Sequence, residues 1–344
     1  MNLLILYATF LALLAPREAL QIGLLVPDHS YSSVISAAQK AIDEANHSGE
    51  YGDHPFKLIV RTTEGLWGAG SKESVSLVYE DNVRAIVGSL DGRNAHLAEQ
   101  VAAKSHLVYL ETRATDPTLS QAYVPWFFRI VPNDDQQSRA LLDIIKKKGE
   151  GGLAILSQDQ YDTGYAVRSF TKYAKRANGI APLILDLDSA DLHTADPIDQ
   201  LKGSKTAHLV IPYYSEFSLE LIDLIKKEIP QMLIYGTLNF CAGLKERDFK
   251  REELQGMMLI HSYAPGKNMD SETDLHAMYA YEGVLLILKA IQEAGSDRDA
   301  IKEHLFTIAY TNGLSGSLSF DDMGNRSGSL RFCKINKGRL EPTE

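Results

Sequence analysis

Two short runs of small polar residues carry the side chains best suited to gripping a small molecule. The first is Ser89-Leu90-Asp91-Gly92-Arg93-Asn94; the second is Glu111–Asp116, with Arg113 and Thr115 inside it. Each run follows an apolar segment, Val83–Gly88 and Leu107–Leu110, that reads as a buried strand. Strands that end this way place their loops side by side at the carboxyl edge of a sheet, where open α/β sheets hold ligands. The chemistry on offer is recognition, because hydroxyls and carboxylates make hydrogen bonds and guanidinium forks suit carboxylates and phosphates. Tyr31, after the first strand, and Trp67, between glycines in Glu64–Gly70, are read as cleft walls or as helix-packing residues. Tyr213-Tyr214 ends a strand, so alternation predicts that only one of the two rings reaches a cleft.

Catalytic patterns are missing from the sequence. No Gly-x-Ser-x-Gly elbow, His-Glu-x-x-His pair, phosphate-binding Gly-x-x-x-x-Gly-Lys-Ser/Thr loop or Gly-x-Gly-x-x-Gly follows a strand. The ten histidines are dispersed without metal-ligand spacing, and Gly88–Gly92 holds a serine and an acid but no placed base. The expectation is a binding protein that carries neither cofactor nor metal.

The elements that position these residues alternate in two series. The first runs strand Gln21–Val26, helix Val34–Asn46, strand Phe56–Thr62, helix Ser71–Glu80, strand Ala85–Val87, helix Ala95–Lys104 and strand Leu107–Leu110. A helix opens at Asn133–Gln137; there Asp134 reads either as the N-cap, with Gln137 closing a capping box, or as a ligand contact. The second series runs strand Gly152–Ser157, helix Gly164–Asn178, strand Pro182–Leu187, a helix at Pro197–Lys202, strand His208–Pro212, helix Phe217–Lys227, and strands Gln231–Tyr235 and Met257–Ser262. Such alternation demands mostly parallel sheets with helices on both faces, and two series imply two lobes. Helices follow at Ser271–Ala294 and Asp297–Ile308, and Leu330–Ile335 is expected to pair back on Ser317–Asp321 across a turn at Gly324-Asn325.

Charge and the first residues narrow the setting. A net charge of −10 argues against nucleic acid and anionic membrane as partners. Lys146-Lys147-Lys148 reads as a solvated helix end favoured by the macrodipole. Leu3–Leu14 is almost wholly apolar, about the length of a secretory signal core and short for a bilayer span. Residues 1–19 are therefore read as a signal peptide and the protein as periplasmic or secreted, although no Lys or Arg precedes the run and Arg17 sits near the cut. A retained amino-terminal anchor and a buried helix are the alternatives. Cys241 and Cys333 read as a disulfide or as two separate buried thiols.

In order and spacing, several segments resemble the type I periplasmic substrate-binding proteins of the branched-chain amino-acid transporter kind. They are the strand ending at Gly88 with its loop, Ala114–Leu119, Phe128–Asp134 with Gln137, Asp159–Gly164 around Tyr161, and Gly316–Asn325. The resemblance implies a periplasmic binding protein-like I fold: two doubly wound parallel-sheet lobes, residues 20–133 with 263–313 and residues 134–262 with 314–344, joined by a three-crossing hinge. It also implies a monomer that closes on a small-molecule ligand and delivers it to an ABC transporter permease, or signals to a sensor protein. Residue by residue, Thr115 matches a threonine donor, Asp134 an acidic position, and Tyr161 with one of Tyr213 or Tyr214 the covering aromatics. Gly92 replaces a serine donor, Arg113 a small contact residue, and Leu238-Asn239 an expected glutamate. With Asp91, Arg93, Tyr31 and Trp67 these complete the candidate site. The lost acid and the gained Arg93 and Arg113 shift the expected ligand toward anionic or polar molecules.

Overall fold

A computed structural model describes residues 18–49, 54–66, 68–149, 151–179, 181–186, 196–261 and 274–343. Residues 1–17, most of the expected signal peptide, and Trp67 lie outside them. Strands β1 (Leu20–Val26), β2 (Phe56–Thr62), β3 (Ala85–Gly88), β4 (Val108–Glu111) and β5 (Phe127–Arg129) form a parallel sheet in the order β2-β1-β3-β4-β5. β3 and β4 are buried at every position, as strands covered on both faces must be, and this is why they read as unbroken apolar runs.

The second sheet contains β6 (Gly152–Ser157), β7 (Leu183–Asp186), β8 (Thr206–Ile211), β9 (Leu233–Gly236) and β10 (Met258–Ile260). Three short strands follow, β11 (Tyr310–Gly313), β12 (Gly316–Phe320) and β13 (Arg326–Ser327), which pair in that order. β14 (Phe332–Asn336) and β15 (Arg339–Pro342) then extend the second sheet to β15-β14-β10-β9-β8-β6-β7. The expected hairpin is corrected here. β12 pairs with the two residues of β13, while Phe332–Asn336 leaves to run antiparallel to β10. Burial decides it, because Cys333 and Ile335 alternate inward against the second sheet's core.

In each sheet the strand order reverses, between β1 and β3 in the first and between β6 and β8 in the second. The helix Leu275–Ala294 buries Met278, Tyr279, Val284, Ile287 and Leu288 and packs along the helix Ser32–Ser48.

Where the chain passes from β5 toward the second sheet it is pinned by a buried cation. Arg129 is fully buried and donates to the Asp116 carbonyl at 2.5 Å and to Asn325 Oδ1 at 2.6 Å. Gly324 makes this approach possible. Its φ of 72° suits glycine, and a Cβ there would collide with the Phe127 carbonyl oxygen. The helix Asp134–Lys148 is capped one residue earlier than expected. Asn133 accepts from the Gln136 N–H at 2.8 Å and Gln136 Oε1 accepts from the Asn133 N–H at 2.9 Å, leaving Asp134 inside the first turn. Cys241 and Cys333 are free, buried thiols, and burial pushes Cys333 up to about 11.

Candidate functional site

The carboxyl ends of the two sheets supply the wall of one cavity of about 200 Å³, lined by Tyr31, Arg113, Asp162, Tyr213, Tyr214, Asn239, Ala242, Gly243 and His276. Tyr31 follows β1, Arg113 follows β4, Asp162 follows β6, Tyr213-Tyr214 follows β8 and Asn239 follows β9. Both switch points therefore contribute, as the edge rule for open sheets requires.

Arg113 is set by a buried acid beneath it. Glu111 Oε1 accepts from the backbone N–H groups of Thr112, Arg113 and Ala114 at 3.0, 2.7 and 2.9 Å, and its other oxygen is bonded by the Tyr109 hydroxyl. The loop is thus folded around one carboxylate, and the guanidinium is thrown outward over the Tyr31 ring, 5.1 Å from its centroid. Among the described residues no carboxylate lies within 4.0 Å of that guanidinium. Asp162 and Asp91 favour its charge from beyond ion-pair distance, and no carboxylate pairs with its fork directly.

Three neighbours tune its surroundings. Burial raises the Asp162 carboxyl to about 6; the charge of Arg113 and the Gly92 N–H, 3.0 Å from Oδ1, oppose this, and Asp91 and Asp116 reinforce it. Burial lowers His276 to about 4, with Arg113 adding to the effect, so the imidazole is neutral at ordinary pH. Tyr213 is pushed up by burial. The wall therefore offers one cation, one carboxyl of adjustable charge, a neutral imidazole, an amide and three phenols. Among the described residues no group of three or more His, Cys, Asp or Glu could hold a metal.

Of the residues singled out from sequence, Tyr31, Arg113, Tyr213, Tyr214 and Asn239 line the cavity. Both adjacent tyrosines do so, against the expectation of one. β8 ends at Ile211, so strand alternation no longer governs positions 213 and 214. Tyr214 turns its hydroxyl toward Asp248 at 3.3 Å and packs edge-on against Phe240.

The others lie beside or behind the cavity. Thr115 is fully buried, and its Oγ1 accepts from Asn239 Nδ2 at 3.0 Å, across the two sheets. Asp134 is also buried; burial pushes its carboxyl well above the usual range, and its Oδ2 meets no partner. Asp91 caps the helix Gly92–Ser105 by accepting from the Asn94 N–H at 3.0 Å. Gly92 meets Asp162 and Tyr161 so closely that a Cβ would stand 2.7 Å from Asp162 Oδ1. Arg93 is exposed and lies over the Tyr161 ring.

Sequence reasoning missed Asp162 and His276. Each sits in the first turn of a helix, Tyr161–Asn178 and Leu275–Ala294, and the sequence reading started the first of these later, at Gly164. The carboxyl-edge rule, applied to the loop after β6, would have found Asp162.

Residues 34–337 match the family described as Receptor family ligand binding region. Among curated proteins, Glutamate receptor 3.7 of Arabidopsis thaliana is 24% identical over 293 residues, covering 77% of this chain and 31% of the receptor. Glutamate receptor 2.9 of the same plant is 20% identical over 322 residues, 85% of this chain and 33% of that protein. The chain spans about a third of the length of these curated relatives.

Among solved structures, an ABC transporter substrate-binding protein from Desulfitobacterium hafniense in complex with Leu superposes with a TM-score of 0.80 at 17% identity. That match covers 95% of this chain and 100% of the other. A solute-binding protein from R. palustris in complex with benzoate gives 0.77 at 14% identity, covering 94% and 95%. These likenesses establish the fold, the type I periplasmic binding architecture of two α/β parallel-sheet units.

Proposed function

The chain belongs to the receptor ligand-binding-region family, and on that premise we propose that it captures a small carboxylate-bearing ligand between its two sheets. The unpaired Arg113 guanidinium carries this reading. It stands at the cavity wall, held over Tyr31, where an incoming carboxylate supplies the missing anion through a two-pronged hydrogen bond. Tyr213 offers a further contact from the second lobe, and His276 one from the first. The cavity is smaller than sites for drug-sized molecules, which limits the ligand to a compact organic acid.

Closure is the proposed mechanism. Residues 20–133 with 263–313 and residues 134–262 with 314–344 act as lobes about a three-stranded hinge. Ligand touching both lobes shifts the population toward the closed form. In the first reading an ABC transporter permease receives the closed form, with export through residues 1–19 and action as a monomer in the periplasm or outside the cell. The leucine- and benzoate-bound fold relatives support it. A second reading, a sensing module whose closure is read by a membrane partner, is supported by the similarity to plant glutamate receptors.

A thermal-shift and calorimetric series of benzoate, leucine and glutamate against the matching amides tests the ligand class. Carboxylates are expected to stabilise the protein, by about 2.7 kcal/mol at a hundred times the dissociation constant. Arg113→Ala is expected to weaken them at least about tenfold. Amides that bind as well as their acids would end the proposal.

A further inference from the structure

The helix Tyr161–Asn178 and its neighbour Asp134–Lys148 present a patch whose charge opposes that of the molecule as a whole. Arg168 lies over the Tyr165 ring at 4.0 Å, and Arg139 and Arg176 over Tyr173 at 5.5 and 5.6 Å. Arg93 lies over Tyr161 at 5.0 Å at the end nearer the cavity. Positions 168, 172 and 176 recur every four residues, so they share one helical face. Lys175 and Lys146–Lys148 are exposed on the same helix pair. The protein's net charge is −10, yet this face is cationic.

Several cations elsewhere on the surface meet acids, as in Lys40–Glu44, Arg61–Asp81, Lys202–Glu228 and Lys227–Asp223. On this face Lys172 pairs with Asp135 at 2.8 Å, but Arg93, Arg139, Arg168 and Arg176 have no carboxylate within 4.0 Å among the described residues. Each lies over a tyrosine ring, and apart from Arg139 Nε, which donates to the Asp135 carbonyl at 3.3 Å, no hydrogen bond takes up their N–H donors among the described residues. Side-chain entropy normally lost when an arginine binds is thus lost in advance.

We propose that this stacked-arginine face docks an acidic segment of a partner protein, reading its Asp and Glu carboxylates through the pre-ordered forks. Charge complementarity commits the occupant to an anion, and planar forks suit carboxylates. An anionic bilayer fits less well. The exposed large apolar residues, Leu66, Val75, Tyr79, Tyr123, Ile184, Phe217 and Leu233, all lie off these two helices, so nothing here would insert below the headgroups.

The test uses the full chain with a fluorescent octaglutamate peptide, followed by anisotropy at low and physiological salt, beside vesicles containing phosphatidylserine. Binding that weakens with salt, and weakens at least about tenfold in R139Q/R168Q/R176Q, is the expected result. The control triple K40Q/K202Q/K227Q, which removes acid-paired lysines, is expected to bind like the wild type. R168K/R176K, which keeps charge but loses the fork, guards against misfolding of the triple and is expected to bind about threefold or more weakly. Absence of peptide binding by the wild type, equal loss in the control triple, or binding to vesicles without binding to peptide overturns the proposal.

Discussion

Replacing Asp162 with Asn tests the electrostatic account of the cavity most directly. Burial raises this carboxyl from 3.8 to about 6, about 3 kcal/mol against the charged form. The side chain is half-buried, so solvent trims the figure to about 1–3 kcal/mol. The sign follows from proton counting. Between about pH 4 and 6 the folded protein holds this proton more firmly than the unfolded chain, so stability falls as pH rises through that window. Asn keeps an oxygen for the Gly92 N–H, which now lies 3.0 Å from Oδ1, and carries no charge.

Urea unfolding of Asp162→Asn is therefore expected to show a gain of about 1–3 kcal/mol at pH 7.5 that shrinks toward zero near pH 4. Other buried acids titrate in both proteins and cancel in the difference. A variant less stable than wild type at pH 7.5, or a difference that ignores pH, would refute the reasoning. The first would mean that attraction to Arg113 outweighs burial, the second that the two cancel.

Three further outcomes follow from the same structure. Protonating Asp162 removes a negative charge beside Arg113, so calorimetry is expected to show tighter binding of a simple carboxylate as pH falls from 7.5 to about 5.5; an α-amino acid whose ammonium sat on Asp162 would weaken instead. Burial alone would lower His96, but hydrogen bonds with Asp116 and Glu99 outweigh it and raise the imidazole to about 9. Its contribution is full below pH 6.5 and is lost as pH rises through about 9, so His96→Gln is expected to flatten unfolding free energy over that range. Gly324→Ala, with φ of 72° and the Phe127 carbonyl in the way, is expected to cost more than about 3 kcal/mol in chemical denaturation, since it also displaces Asn325 from Arg129.

The framework was legible because its signals are local. Buried strands such as Ala85–Gly88 are written as apolar runs, and the polar loops that end them mark the carboxyl edge. What escaped the sequence depends on neighbours distant in the chain. Nothing near Thr115 says that its hydroxyl will be taken by Asn239, 124 positions away. The cap at residue 133 instead of 134 was a one-residue choice between two good capping side chains, decided by Gln136 reaching back to the Asn133 N–H. Tyr213 and Tyr214 escaped strand alternation once β8 stopped at Ile211, and β14 escaped its hairpin because the second sheet offered its apolar face a deeper core.

These long-range pairings explain why the arginine stands out. The Gly92 N–H donates to Asp162 and the Thr115 hydroxyl oxygen accepts from Asn239, so both loops are bonded to groups that follow strands of the second sheet. Gly92 and Asp162 depend on each other. With any Cβ at position 92 only 2.7 Å from Oδ1, the carboxylate could not reach the backbone N–H without displacement, and with a smaller residue at 162 the N–H would lose its acceptor. The chain thus satisfies the Gly92 donor internally, while the Arg113 fork has no carboxylate paired directly with it among the described residues. On the proposed reading, selectivity would rest on what can neutralise the Arg113 guanidinium without approaching Asp162 as a second anion. That requirement favours one carboxylate on a compact, otherwise uncharged body over a dicarboxylate or a phosphate, because each further negative charge would meet Asp162 in a poorly solvated space.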